Sequence, residues 1–240
     1  MIESCLGQSN NGSDLLGRPT VRTSNQVDRE KQLAAEAAAE LVEDGMTVGL
    51  GTGSTVAFLL PALARRHRKI RCVATSPHTA DLARQLGIDV APFTKLAILD
   101  LAIDGTDQIT PDGWLIKGGG AANTREKLVA ITANRFIVIA DSTKPVAVLK
   151  GPIPIELLAF GLGSTLRRLG DVILRAVPSS PDGGIIADYH GPLMNPRETA
   201  ARLSGTPGLI EHGLFPPEMV TTAIIGRGDQ VEVIDYQGGK

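Results

Sequence analysis

The chain reads as an α/β protein: a doubly wound, mostly parallel Rossmann-like sheet followed by a second, smaller α+β domain. Three observations predict this class. Short apolar runs alternate with stretches of helical periodicity from Arg29 to Ala140, and such alternation builds parallel βαβ units. Three of those runs are followed by loops rich in Gly, Thr, Ser, Asp or Lys, where the carboxyl ends of parallel strands collect ligands. Beyond residue 150, Pro152 and Pro154 interrupt the pattern and a shorter α/β series begins.

Taken in order, Leu33, Ala34, Ala37, Ala38, Leu41 and Val42 form a one-sided stripe, so a helix is expected over 29–43, ended by Gly45. A strand follows over 46–50, then a glycine loop at 51–55 and a helix over 56–66. The unit recurs as strand 70–75 with helix 79–86, strand 96–103, a triple-glycine turn, helix 121–134 and strand 136–140. The smaller unit is expected to hold helix 157–169, strands 172–176 and 185–189, helix 196–203 and a strand near 208–215. Strands 221–226 and 231–236 suit either unit by pattern. The division adopted gives 28–150 with 222–240 to the larger domain and 151–221 to the smaller. Residues 1–27, rich in Ser, Asn, Gly and Thr and lacking the apolar core of a secretory signal, read as a flexible extension.

Composition narrows the function. A 42% hydrophobic chain of 240 residues with net charge −2 is globular and carries no electrostatic footprint for nucleic acid. The one basic cluster, Arg65 to Lys69, suits the C-terminal end of a helix. Cys5 and Cys72 lie in unlike surroundings and imply no disulfide framework, which fits a reducing, cytoplasmic setting. The four histidines lack metal-ligand spacing, so no metal is expected. No apolar run reaches 18 residues, and no membrane span is expected.

The three loops carry the chemistry. Gly51-Thr52-Gly53-Ser54-Thr55 offers amide N–H groups, hydroxyls and a helix N-terminus, which suit a phosphate. It lacks the lysine of a P-loop and the third glycine of a dinucleotide loop, and a turn capped by Ser54 is an alternative reading. Asp104-Gly105-Thr106-Asp107 places two carboxylates directly after an apolar strand, with turn formation as the plain alternative. Lys117-Gly118-Gly119-Gly120 precedes an Ala-rich helix start and Arg125-Glu126-Lys127, setting a cation, bare backbone and a carboxylate in one segment. A phosphate cradle, two aspartates, a lysine and a glutamate suit proton transfer on a sugar phosphate.

These segments, in this order and with Ala140-Asp141-Ser142-Thr143-Lys144, closely resemble ribose-5-phosphate isomerase of the A type over about Arg29 to Tyr236. The resemblance implies interconversion of D-ribose 5-phosphate and D-ribulose 5-phosphate through an enediol(ate), without cofactor. It implies Glu126 as the base, largely ionised near neutrality, and Lys117 as the oxyanion stabiliser. Asp104 would open the furanose ring, and Asp107 would hold sugar hydroxyls and orient Lys117. Thr52, Gly53, Ser54 and Thr55 would seat the phosphate, with Lys31 and Lys144 supplying positive charge. Gly105, Thr106, Gly118, Gly119 and Gly120 would complete the substrate site. Family members are usually dimers or tetramers, so a homodimer or homotetramer is expected. Gln108, Asn123 and Gly184 depart from the family pattern. Related folds also serve as sugar-phosphate sensors and coenzyme A transferases, but residues 1–28 are too short and polar for a DNA-binding module.

Overall fold

The computed structural model describes residues 23–236. Helix α1 (Ser24–Glu40) is capped by the Thr23 hydroxyl, which accepts from the Gln26 N–H at 3.4 Å. It therefore begins ahead of the expected start at Arg29, because its polar first turn faces solvent and carries no apolar stripe. Residues 24–27 of the expected flexible extension are helical. Residues 1–22 lie outside the described residues.

Along the chain follow β1 (Thr47–Leu50), α2 (Ser54–Arg65), β2 (Arg71–Ala74), α3 (Pro77–Gln85), β3 (Asp89–Val90) and β4 (Leu99–Gly105). Next come β5 (Gln108–Ile109), β6 (Leu115–Ile116), α4 (Asn123–Thr132), β7 (Ala133–Asp141), β8 (Ile153–Leu157), α5 (Leu162–Leu169) and β9 (Val172–Leu174). The described chain ends with β10 (Ile185–Tyr189), α6 (Pro196–Ser204), β11 (Leu209–His212), β12 (Leu214–Phe215), β13 (Thr222–Arg227) and β14 (Gln230–Asp235).

Seven strands form the main sheet in the order β14-β13-β7-β4-β1-β2-β3. All neighbours are parallel except β13 and β14, which form an antiparallel hairpin at one edge. The final two strands thus belong to this sheet. From β1 the chain winds outward through β2 and β3, then returns to place β4 on the other side of β1. The crevice beyond the ends of β1 and β4 is the topological switch point, where open α/β sheets bind ligands.

One core layer joins Ala34, Ala35, Ala38 and Ala39 of α1 to Leu59, Leu60 and Leu63 of α2 and to Leu50, Ile103 and Ile137 of the sheet. Small side chains on α1 let that helix lie close against α2, β7 and β13. The opposite layer packs Val129 and Ala130 of α4 with Leu99, Phe136, Val138 and Phe215.

A four-stranded antiparallel sheet runs β11-β8-β10-β9, and a three-stranded one runs β12-β6-β5. Here the structure corrects the sequence reading. Pro154 lies inside an interior strand, β8, with Pro152 just ahead of it, and the helix expected over 157–169 begins only at Leu162. Pro154 is tolerated because its carbonyl faces Gly213, accepting from the Gly213 N–H at 2.7 Å. In an extended strand the nitrogen of the same residue faces the same side, so the missing donor falls at the break between β11 and β12.

Candidate active site

Loop, strand end and helix start converge at the switch point. The backbone turns from β1 into α2 at Gly53 (φ 123), the N-cap residue, so Ser54 opens the helix rather than capping it. Helix α4 likewise lacks a side-chain cap. Helix α5 also lacks a side-chain cap, whereas α1, α3 and α6 are capped by Thr23, Ser76 and Asn195. The two helices that open beside the site thus keep their first-turn amides uncapped by side chains, at the end of the dipole that attracts anions.

Asp104, near the end of β4, presses against the Gly51 backbone. A Cβ on residue 51 would lie 1.8 Å from Asp104 Oδ1, so only glycine admits this approach. The carboxylate oxygen Oδ1 accepts from the N–H groups of Thr52 (3.2 Å) and Gly105 (2.7 Å). Oδ2 lies 2.9 Å from Lys117 Nζ. Glu126, in the first turn of α4, sets Oε2 3.4 Å from the same ammonium. Lys117 Nζ also donates to the Gly105 carbonyl and sits 5.5 Å from the Phe215 ring centroid. All three ionisable side chains are at least 95% buried, with side-chain exposures of 3%, 5% and 2% for Lys117, Asp104 and Glu126.

The electrostatics follow from that burial. Removal from water pushes the Glu126 carboxyl up to about 7, against the pull of Lys117 and with a further push from Asp104. Burial also raises Asp104, partly offset by Lys117 and by the amides it accepts from. Burial alone would lower Lys117; the facing charges of Asp104 and Glu126 outweigh it and hold the ammonium protonated. The sequence reading asked for a largely ionised Glu126 near neutrality. With one cation shared by two buried carboxylates, Glu126 instead sits near its midpoint there.

Asp107 was expected to help orient Lys117; its carboxylate adds to the negative field at that ammonium and accepts from the Gly119 N–H at 3.0 Å, while Asp104 and Glu126 lie within ion-pair distance of the lysine. Gly118 adopts φ 101 and Ala121 adopts φ 60, so the backbone makes two left-handed turns between Lys117 and α4. Thr52 Oγ1 lies 2.8 Å from Thr75 Oγ1 and 3.1 Å from Thr79 Oγ1, a link the sequence did not suggest.

A cavity of about 360 Å³ fills the crevice. Thr52, Gly53, Ser54 and Thr55 line one wall, Gly105, Thr106 and Asp107 another, and Lys117, Gly118, Gly119, Gly120 and Glu126 a third, with Lys144 at the side. Asp104 lies behind Lys117 and does not line the space. Lys31 does not line it either; it lies 3.7 Å from Asp28 on α1. The departures from the family pattern find local accounts. Gln108 donates to the Lys150 carbonyl (2.6 Å) and accepts from the Lys150 N–H (2.8 Å), a reciprocal pair a carboxylate could not make. Asn123 is fully buried and donates to the Glu211 carbonyl at 3.3 Å. A Cβ at Gly184 would lie 2.2 Å from Glu156 Oε1, so the buried glutamate occupies the space a side chain there would need. Among the described residues no group of His, Cys, Asp and Glu is arranged to hold a metal ion.

The family model for ribose 5-phosphate isomerase A (phosphoriboisomerase A) matches residues 71–230. A relative from Caulobacter sp. (strain K31), a ribose-5-phosphate isomerase A, is 44% identical over 85% of this chain and 96% of its own length. The chain belongs to the ribose-5-phosphate isomerase A family. Solved ribose-5-phosphate isomerases superpose closely: that of Neisseria gonorrhoeae has a TM-score of 0.84 at 32% identity, covering 88% of this chain and 97% of its own. That of Plasmodium falciparum has a TM-score of 0.82 at 32% identity, covering 88% and 99%. A DeoR C terminal sensor domain model also matches residues 26–92. That match stops short of Asp104, Lys117 and Glu126, so the acid/base segments lie in the part shared with the isomerase family. No described helix is long and apolar enough to cross a membrane.

Proposed function

We propose that this protein is an aldose-ketose isomerase that interconverts D-ribose 5-phosphate and D-ribulose 5-phosphate. The observation that carries the reading is a buried lysine shared by two carboxylates at the wall of a cavity whose far side is a phosphate-suited loop. Glu126 takes the proton from C2 of the open-chain aldose, and the electron pair moves onto the C1 carbonyl to give an enediolate. Lys117 stabilises the oxyanion as charge develops; a preorganised donor of this kind contributes about 3 to 4 kcal/mol. Glu126 returns the proton to C1 while the O2 proton passes to O1, which yields the ketose.

Opening the furanose ring breaks the C1–O4 bond: O4 takes a proton from an acid, and the C1 hydroxyl gives up its proton to restore that acid as the C1 carbonyl forms. Lys117 is the cavity-facing acid, and Asp104, 2.9 Å behind it, is the carboxylate that holds it there. Asp107 faces the cavity and holds sugar hydroxyls. Thr52, Gly53, Ser54 and Thr55 seat the phosphate, Lys144 supplies charge at the cavity, and Lys31 adds positive potential from α1. A solved ribose-5-phosphate isomerase, 32% identical, is in complex with phospho-erythronic acid, a phosphorylated sugar acid. That ligand supports a sugar phosphate in the corresponding cavity here.

The free, buried Cys72 supports a cytoplasmic setting. The exposed Phe160, Ile173 and Val177 on and beside the smaller sheet support assembly as a homodimer or homotetramer. Purified protein treated with EDTA and given D-ribose 5-phosphate is expected to form ketose. Saturable sugar-phosphate binding without turnover would contradict the isomerase reading and favour a sensor.

A further inference from the structure

Arg175 follows β9 directly, 57 residues from the glycine loop it touches. Its guanidinium is held edge-on by Asp188 of β10, with Nε 2.8 Å from Oδ2 and Nη2 2.6 Å from Oδ1. A bidentate pair of this kind fixes the plane of the guanidinium and hence the direction of its remaining nitrogen. That nitrogen, Nη1, donates to the carbonyls of Gly118 (3.1 Å) and Gly119 (3.2 Å). The Gly118 carbonyl and the Gly119 N–H belong to one peptide unit, and the N–H donates to Asp107 Oδ2 at 3.0 Å. A continuous chain therefore runs Asp188, Arg175, peptide 118–119, Asp107, and ends at the cavity wall. A cation on the carbonyl end polarises the peptide and strengthens its N–H as a donor. Glycines left without such an anchor have a wide choice of peptide orientations.

We propose that Arg175, fixed by Asp188, is a positioning residue that sets the Gly118–Gly119 peptide so that its N–H holds the Asp107 carboxylate against the cavity. Arg175 and Asp188 do not line the cavity; both act through the glycine loop. Lysine cannot replace the arginine, because one ammonium cannot grip a carboxylate bidentately and also reach two carbonyls. The kinetic part of this inference rests on the isomerase reading, so the test includes a readout that needs no turnover.

The full-length protein, Arg175→Met, Arg175→Lys and Asp188→Asn are compared by kcat on D-ribose 5-phosphate, by competitive inhibition with inorganic phosphate, and by the amide resonance of Gly119. Both Arg175 variants are expected to lose about 10- to 100-fold in kcat, with phosphate inhibition unchanged and the Gly119 amide shifted toward a weaker hydrogen bond. Asp188→Asn, which keeps the shape, moves the same readouts in the same direction by less. In a further variant, Arg175→Ala, added ethylguanidinium is expected to restore part of the lost turnover. An unmoved Gly119 amide in Arg175→Met overturns the proposal whether or not the wild type turns over. Parallel loss of phosphate inhibition and kcat overturns it also, because it marks a general collapse of the site.

Discussion

Glu126 and Asp104 both lie within ion-pair distance of one ammonium, so two buried carboxylates share a single buried cation. The excess negative charge favours a proton on the pair, and burial raises both carboxyls, Glu126 to about 7. A base must be ionised to act, so kcat/KM is expected to fall as pH drops below about 7, with an acid limb of unit slope. Turnover that persists down to the ordinary glutamate value of 4.5 would contradict that placement. On the other wall, Ser54→Ala with Thr55→Ala removes the hydroxyls of the first turn of α2. KM for the phosphorylated sugar is expected to rise about tenfold with kcat little changed, the pattern of contacts made equally in the ground and transition states. An unchanged KM would place the phosphate elsewhere. Lys117, Glu126 and the threonine loop were legible because each lies in a short segment whose chemistry is contiguous in sequence. Arg175 was not, since its partners Gly118, Gly119 and Asp188 come from other segments and only the fold brings them together.

At the scale of elements, α1 lies so close to β13 that a Cβ on Gly226 would fall 2.0 Å from the Glu30 carbonyl oxygen. The obstruction is backbone on a packed helix and cannot swing aside. Gly226→Ala is therefore expected to destabilise the protein by about 1 to 3 kcal/mol, read as a lower Tm by calorimetry; an unchanged Tm would mean that α1 gives way freely. Buried Glu30 reinforces the same junction, accepting from the Ser142 N–H at 3.0 Å and the Gly228 N–H at 2.8 Å. The helices and the long parallel strands were legible from periodicity to within a few residues, because each buries a regular face. What stayed hidden depends on partners distant in sequence. The polar start of α1 gave no stripe, β3, β5 and β6 are two residues each, and Pro154 of β8 read as a break although the gap at Gly213 accommodates it.

For the whole molecule, the charge arrangement that suits proton transfer works against stability. Burial holds the Glu126 carboxyl at about 7 in the folded protein, against an ordinary glutamate value of 4.5. The folded state therefore binds its proton more tightly than the unfolded chain. This stabilising contribution is fully present below pH 4.5 and is lost as pH rises through about 7. Glu126→Gln stays neutral throughout, so its Tm is expected to exceed that of the wild type at pH 8 and to match it near pH 4.5. A lower Tm at pH 8 would mean that the Lys117 attraction outweighs desolvation.

The same variant tests the central claim, that one buried carboxylate beside a shared lysine moves the proton. The measurement is kcat for Glu126→Gln beside the wild type on D-ribose 5-phosphate, with inhibition by inorganic phosphate as a check that the cavity is intact. At least about a hundredfold loss of kcat with phosphate inhibition retained is the predicted result. Near wild-type turnover would remove Glu126 as the base and contradict the account.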